Sequence, residues 1–151
     1  MRRWQQATIR AMALFTLLAL VPGHATADDK ILKIDPRHVV GVQDMRSEIT
    51  SMLEGLGYER LPLRDPSTGQ PVQVAEEYGQ YRMLFRAADN VSVQIEVHIR
   101  KTDNMTGLHF SVVGNDQPGA AALDYYRKLK DRAVLEFGAD NVSDKHSFTT
   151  P

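Results

Sequence analysis

A strict two-residue alternation between positions 91 and 100 constrains the fold of this chain more than any other feature. Aliphatic and polar residues take turns along the whole stretch, and the aliphatic ones are Val91, Val93, Ile95, Val97 and Ile99. Successive side chains of a β-strand point to opposite faces of the sheet. The pattern therefore predicts a strand with one buried and one solvated face, which is typical of antiparallel sheets.

Two shorter alternating stretches, at 81–86 and 108–112, flank this strand and predict an antiparallel meander of three strands. Turn sequences rich in Asn and Asp separate them, at 88–90 and at 103–104. Paired residues must share a face of the sheet, which sets the expected register. The expected pairs are Phe85–Val93, Met83–Ile95, Tyr81–Val97, Arg82–Glu96, Val97–Phe110, His98–His109 and Glu96–Ser111.

Two amphipathic helices are expected on either side of the meander in sequence. The first begins after Asp44, a good N-cap, and ends at Gly57. Its apolar stripe is formed by Met45, Ile49, Met52, Leu53 and Leu56. The second ends at Gly138, and its stripe is formed by Ala122, Tyr126, Leu129, Ala133 and Phe137. Both stripes have helical spacing, so each helix is expected to bury one side.

The rest of the chain completes an α+β prediction. A short strand is expected near 31–34, an edge strand at 58–63, and a long loop at 64–79. We expect a two-layer open-faced sandwich, in which an antiparallel sheet of about four strands carries both helices on one face. This single domain spans residues 28–138, and residues 139–151 are expected to be a polar, flexible tail.

The first 27 residues have the pattern of a cleavable secretory signal. Arg2, Arg3 and Arg10 form a basic segment without acidic residues, and an apolar run of 11 residues follows at 11–21. That run is shorter than the ~20 residues needed to span a bilayer. A small-x-small site at 25–27 predicts cleavage after Ala27. We therefore expect a periplasmic protein with no membrane span after cleavage.

Composition excludes several classes of function. The chain has no cysteine, which excludes disulfides, thiol catalysis and a lipid-modified N-terminus. It carries 18 Lys and Arg against 19 Asp and Glu. The signal segment holds three of the Arg and no acidic residue, so the remaining chain has a formal charge of −4. An acidic domain is a poor binder of nucleic acid, and no nucleic-acid partner is expected.

The polar side of the meander is where the sequence predicts a binding site. The candidate residues are Arg82, Arg86, Glu96, His98, Arg100 and His109. Opposed residues on neighbouring strands have Cβ atoms ~5 Å apart, close enough for two imidazoles to share an ion with a carboxylate as third ligand. A closed zinc site needs four ligands, however, so a polar surface without metal or cofactor is the favoured interpretation.

No catalytic motif accompanies these residues. Walker, Rossmann and His-Glu-x-x-His patterns are absent, and neither an acidic orienting residue nor a Gly-rich oxyanion turn accompanies His109 and Ser111. We expect a non-enzymatic accessory protein that binds another envelope or secreted protein, in envelope assembly or in toxin immunity. The alternative is a periplasmic protein that binds a small ligand or a metal on the polar sheet face.

Overall fold

The computed structural model describes residues 30–39, 41–114 and 119–146, and these form an α+β fold with two α-helices and a mostly antiparallel sheet. The expected signal segment, 1–27, lies outside the described residues. The helices are α1 (Met45–Gly55) and α2 (Ala120–Phe137), with single 3-10 turns at Pro36–His38 and Ala139–Asn141. The strands are β1 (Lys30–Ile34), β2 (Tyr58–Leu61), β3 (Leu63–Arg64), β4 (Pro71–Val72), β5 (Ala75–Glu77), β6 (Gln80–Ala87), β7 (Asn90–Arg100), β8 (Thr106–Val112) and β9 (Val142–His146).

The N-terminus of α1 confirms the predicted cap. Asp44 has an extended backbone, and its Oδ1 accepts a hydrogen bond of 3.0 Å from the backbone N–H of Arg46. This bond satisfies one of the donors that a helix leaves unpaired in its first turn. At the other end Gly57 has φ +88°, a left-handed conformation that suits glycine.

Removing the Asp44 cap is expected to destabilise the protein measurably. Asp44→Ala should cost about 1 kcal/mol of unfolding free energy, because the Arg46 N–H loses its acceptor. Asp44→Asn keeps an acceptor oxygen and serves as the control, with a loss of less than about 0.5 kcal/mol. Urea denaturation of the three proteins measures both effects. An equal loss in the two variants would show that the charge, and not the cap, matters.

Both predicted helical stripes face the core, although Leu56, the last member of the first stripe, follows the end of α1 and is only partly buried. In α1 the four buried residues are Met45, Ile49, Met52 and Leu53. In α2 all five predicted stripe residues are buried, namely Ala122, Tyr126, Leu129, Ala133 and Phe137. They join the sheet residues Phe85, Ile95 and Phe110 in a single hydrophobic cluster. The face of the sheet that contributes to this cluster is called the core face below, and the opposite face is called the open face.

In the part of the chain that the structure describes, the main sheet has seven strands, whereas about four were expected. Its order is β2-β6-β7-β8-β1-β9, and β5 pairs with β6 on the same side as β2. The central meander β6-β7-β8 was predicted, but β1 and β9 extend it by pairing with β8 and with each other. Such pairings join residues far apart in the chain, and local patterns do not reveal them.

The registers differ from the predicted ones by two residues in both hairpins. Phe85 pairs with Ile95 rather than Val93, because the β6–β7 ladder has an irregularity between Arg86 and Ala87. Val97 pairs with Leu108 rather than Phe110, because the turn after β7 is longer than predicted: the Arg100 N–H bonds the carbonyl of Met105. Side chains repeat every two residues along a strand, so a shift of two keeps every face assignment.

Because of these two register shifts, three pairs predicted on the open face are wrong. His98 lies opposite Gly107 rather than His109, and Glu96 lies opposite His109 rather than Ser111. Arg82 lies opposite His98, and its predicted partner Glu96 is opposite Leu84. Val91, expected on the buried side, is 64% exposed at the start of β7, beside the irregularity.

Two segments expected to be irregular contain regular structure. Within 64–79, β3 and β4 form a small hairpin whose turn is held by Asp65, and β5 joins the main sheet. In the expected tail, β9 pairs with β1, and Asp144 accepts hydrogen bonds from Tyr126 and Lys130 of α2. Backbone pairing and these side-chain bonds fix residues 142–146 against the domain. Residues 147–151 lie outside the described part.

Candidate functional site

The six candidate residues lie on the open face of the sheet. Strand β6 contributes Arg82 and Arg86, and β8 contributes His109. Strand β7 contributes Glu96, His98 and Arg100. Along each strand these residues occupy the positions that alternate with the buried residues Phe85, Ile95 and Phe110, so they point to the opposite face. Side chains alternate along each strand, so the fold gathers on one surface the polar residues that the sequence scatters over 28 positions.

Arg82 is the centre of an ion-pair network on this face. Its Nε lies 3.1 Å from Glu96 Oε1, and its Nη1 lies 3.0 Å from Glu77 Oε2. The Arg82–Glu96 pair was predicted as a direct cross-strand pair, but it is diagonal, since Arg82 lies opposite His98. The long arginine side chain spans the diagonal. Glu77, on β5, joins the network through a strand pairing that was not predicted.

Glu96 is shared between Arg82 and His98. His98 Nε2 lies 3.1 Å from Glu96 Oε1, the oxygen that Arg82 also contacts, and His98 Nδ1 lies 3.3 Å from Gln80 Oε1. The hydrogen bond from His98, and next the bonds from Arg82, lower the pKa of Glu96 to about 2 despite partial burial, which acts in the opposite direction. Glu96 is therefore ionised at neutral pH and balances the neighbouring cationic groups.

The two histidines are close although they are not directly opposed. Their ring centroids are 4.7 Å apart and the ring planes are inclined by 53°. The sequence suggests His98, His109 and Glu96 as a possible set of metal ligands. Within residues 30–39, 41–114 and 119–146, no group of three or more His, Cys, Asp or Glu side chains is arranged to hold a metal ion. The contacts in this cluster are hydrogen bonds and ring contact.

The remaining two candidates lie toward opposite sides of the face. Arg86 Nη2 lies 3.2 Å from Glu59 Oε2 on β2. Arg100 is paired with Asp103 in the following turn, at 2.8 Å from Nε to Oδ1 and 2.6 Å from Nη2 to Oδ2. This pair holds the β7–β8 turn at one end of the face.

A hollow of 290 Å³ opens on this face beside the two histidines. Its lining combines cationic, imidazole and apolar groups from five parts of the sheet: Ile31, Lys33, Gln80, His98, Arg100, Met105, Thr106, Gly107, His109 and Lys145. No Asp or Glu is among these ten residues. Of the six predicted candidates, the hollow includes His98, Arg100 and His109, while Arg82, Arg86 and Glu96 lie outside its lining.

Sequence reasoning missed most of the lining. Lys33 and Lys145 reach the hollow only because β1 and β9 pair beside β8. Gly107 lies just before the predicted strand at 108–112, and the structure places it inside β8 on the open face. A glycine within a strand marks a bulge, a sharp bend or a close approach of another group.

In comparisons with known proteins, no protein-family model, no curated protein and no solved structure matches this chain significantly. Among the described helices, none is long and apolar enough to cross a membrane.

Proposed function

We propose that this protein is an exported, non-enzymatic binding protein that contacts a protein partner through the open face. In this proposal the helices cover only the core face, which makes the domain an open-faced two-layer sandwich. The proposal rests on the low exposure of the charged side chains on the open face and on the bonds between them. Arg82, Glu96 and His98 are 33%, 35% and 27% exposed, and they are bonded to one another.

This arrangement differs from an ordinary solvated surface. On α2, Arg127 and Lys128 are 71% and 69% exposed, although both pair with Asp124. Ordering a long side chain on binding costs about 0.5–1.5 kcal/mol, so side chains already held in place reduce the cost of association. A polar surface held by its own ion pairs is thus suited to specific recognition, with charged groups that fix the orientation of the partner.

The cellular setting follows from the sequence. The signal-like N-terminus and the lack of cysteine favour a bacterial periplasm. The partner would then be an envelope or secreted protein, and the function would be envelope assembly or immunity against a secreted toxin.

Export is expected to remove the first 27 residues. The small-x-small site ending at Ala27 predicts a mature chain that begins at Asp28. Expression in a bacterial host, followed by intact-mass analysis and N-terminal sequencing of the periplasmic fraction, checks this result. Retention of Met1 in a membrane fraction would contradict cleavage and the periplasmic assignment.

Site-specific photocrosslinking in the native host tests the binding face. A photoreactive residue replaces Gln94, which lies on the open face between Arg86 and Ser111. The matched control replaces Leu135, which is 77% exposed on α2. The proposal predicts a discrete protein adduct at position 94 and none at position 135. An adduct at position 135 alone would place the partner on the helices, and the lack of an adduct at both positions would contradict a protein partner.

The hollow favours the second candidate function, binding of a small ligand. It is a shallow hollow lined by both charged and apolar side chains, a combination that small-molecule sites commonly have. In this alternative the open face holds a soluble molecule and the ion-pair network fixes the walls of the site. The crosslinking experiment separates the two functions, because a small ligand would leave position 94 without a protein adduct.

A further inference from the structure

Tyr78 combines two unfavourable features, a strained backbone and an exposed aromatic ring. Its φ of +49° lies in the left-handed region, which disfavours residues with a Cβ, and its side chain is 94% exposed. Among the described residues the other non-glycine with a positive φ is Asn104, a residue type that tolerates this conformation. Tyrosine has no such tolerance, and its ring adds nothing to the core. Neither the backbone nor the packing of the described chain therefore accounts for tyrosine at this position.

The turn at Tyr78 is a two-residue β-hairpin connection. Glu77, the last residue of β5, pairs with Gln80, the first residue of β6, and both residues between them have positive φ. A type I′ turn has this geometry, and its first central position is usually occupied by Asn, Asp or Gly. Each of those residues would form the same turn with less strain. The shape of the hairpin therefore does not select tyrosine.

The turn is fixed to the sheet on both sides. On the open face the Glu77 carboxylate accepts a hydrogen bond of 3.0 Å from Arg82 Nη1. On the core side Lys101 Nζ lies 2.8 Å from Glu76 Oε2, and the Lys101 N–H donates to the carbonyl of Gly79 at 2.9 Å. These bonds tie the hairpin to β6 and to the turn that follows β7. A partner therefore meets the tyrosine ring on a support that is already ordered, which lowers the cost of association.

The charges beside the ring indicate what kind of partner it fits. Glu76 and Glu77, which precede Tyr78, each have a cationic partner within hydrogen-bond distance. Their charges are therefore balanced, and the tip of the hairpin presents an aromatic ring with a polar hydroxyl. Such a ring gains free energy on leaving water for an apolar cavity, where its hydroxyl needs a hydrogen-bond partner. An uncharged apolar cleft of a protein, with a hydrogen-bonding group at its base, has this chemistry.

The ring stands at the border of the open face. Gln80, two residues after Tyr78, lies on that face and contacts His98 Nδ1 at 3.3 Å. We propose that Tyr78 is the anchor residue of the partner interface and inserts into an uncharged apolar cleft of the protein that covers the open face. Tyrosine is enriched among the few interface residues that contribute most of the binding energy. This inference rests on the proposed function, because it concerns the same partner.

Stability measurements separate a binding role of Tyr78 from a structural one. Asparagine suits the left-handed backbone better, so the urea midpoint of Tyr78→Asn is expected to equal or exceed that of the parent chain. A tyrosine needed for folding would make this variant less stable. Tyr78→Phe keeps the ring and removes only the hydroxyl. Leu135→Ala is the control for loss of an exposed apolar side chain, since Leu135 is 77% exposed on α2.

Photocrosslinking in the native host measures partner binding by the same variants. Each variant carries the photoreactive residue at position 94, and the adduct yield is normalised to the amount of the variant. We expect Tyr78→Asn to lower the yield about tenfold or more, as for removal of an anchor residue. Tyr78→Phe should lower it by less than about fivefold, since it loses one neutral hydrogen bond. Leu135→Ala should leave the yield unchanged.

An adduct yield at position 94 that Tyr78→Asn leaves unchanged would overturn the anchor role and keep the open face as the binding surface. A lower urea midpoint for Tyr78→Asn would also overturn it, because the ring would then serve the fold. The lack of any adduct at position 94 would refute the proposed function together with this inference. Cosedimentation with vesicles of phosphatidylethanolamine and phosphatidylglycerol tests a membrane surface instead. Binding to these vesicles that Tyr78→Asn abolishes would replace the protein cleft by a membrane.

Discussion

Replacing Ile95 by alanine is expected to lower the free energy of unfolding by about 2–5 kcal/mol. Ile95 is fully buried at the middle of β7 and pairs with two buried aromatic residues, Phe85 on β6 and Phe110 on β8. Truncation removes buried methylene and methyl groups and leaves a cavity that the rigid aromatic neighbours cannot fill. Urea denaturation monitored by circular dichroism measures the change.

The neighbouring residue provides the matched control for this prediction. Gln94 precedes Ile95 on the same strand and faces the open side, opposite Arg86 and Ser111. Gln94→Ala should change the unfolding free energy by less than about 0.5 kcal/mol, since it leaves the core intact. Comparable losses in the two variants would mean that the assignment of core face and open face is wrong.

Replacing Glu96 by glutamine is expected to cost about 1–2 kcal/mol of stability at neutral pH. The bonds from His98 and Arg82 lower the pKa of Glu96 from 4.5 to about 2. A lowered pKa means that folding favours the ionised carboxylate, and this stabilisation is fully present above the ordinary pKa. The side chain is 35% exposed, so solvent screening reduces the effect to the stated ~1–2 kcal/mol, below the full value of the pKa shift.

The loss of stability in Glu96→Gln is expected to depend on pH. The contribution of Glu96 is lost as pH falls from about 4.5 to about 2, because the carboxylate becomes protonated in both the folded and the unfolded chain. Urea denaturation of the parent chain and Glu96→Gln should therefore differ most at neutral pH and converge toward pH 2. Glu54→Gln, on the exposed side of α1, is the control. A difference that stays constant down to pH 2 would show that Glu96 acts through packing and not through its charge.

Local patterns predicted the two α-helices, the central meander and, except at Val91, the face that each residue of the meander occupies. The alternation of β7 and the stripes of α1 and α2 depend on geometry within one element, so the residues of that element are sufficient to show them. The Asp44 cap and the Gly57 ending are equally local. Even the incorrect registers preserved the common face of Arg82, Glu96, His98 and His109, because both errors were of two residues.

The contacts inside the candidate site could not be derived in this way. Which side chain meets which depends on the irregularity near Arg86 and on the length of the turn before Met105. Each of these two features displaces one strand along its neighbour by two residues, about 7 Å, relative to the predicted register. The displacement changes every cross-strand partner. The pairing of Glu96 with both Arg82 and His98 follows from that displacement.

The sequence by itself determined the α+β class, the two amphipathic helices, the three-stranded meander and the polar composition of its open face. Only the tertiary structure decided that β1 and β9 extend the sheet, that residues 142–146 form a strand rather than a loose tail, and that Lys33, Gly107 and His98 lie side by side. The physical reason is the range of the interactions. Helix periodicity, strand alternation and capping act between residues a few positions apart, whereas strand pairing joins segments separated by most of the chain and leaves no pattern in either segment alone.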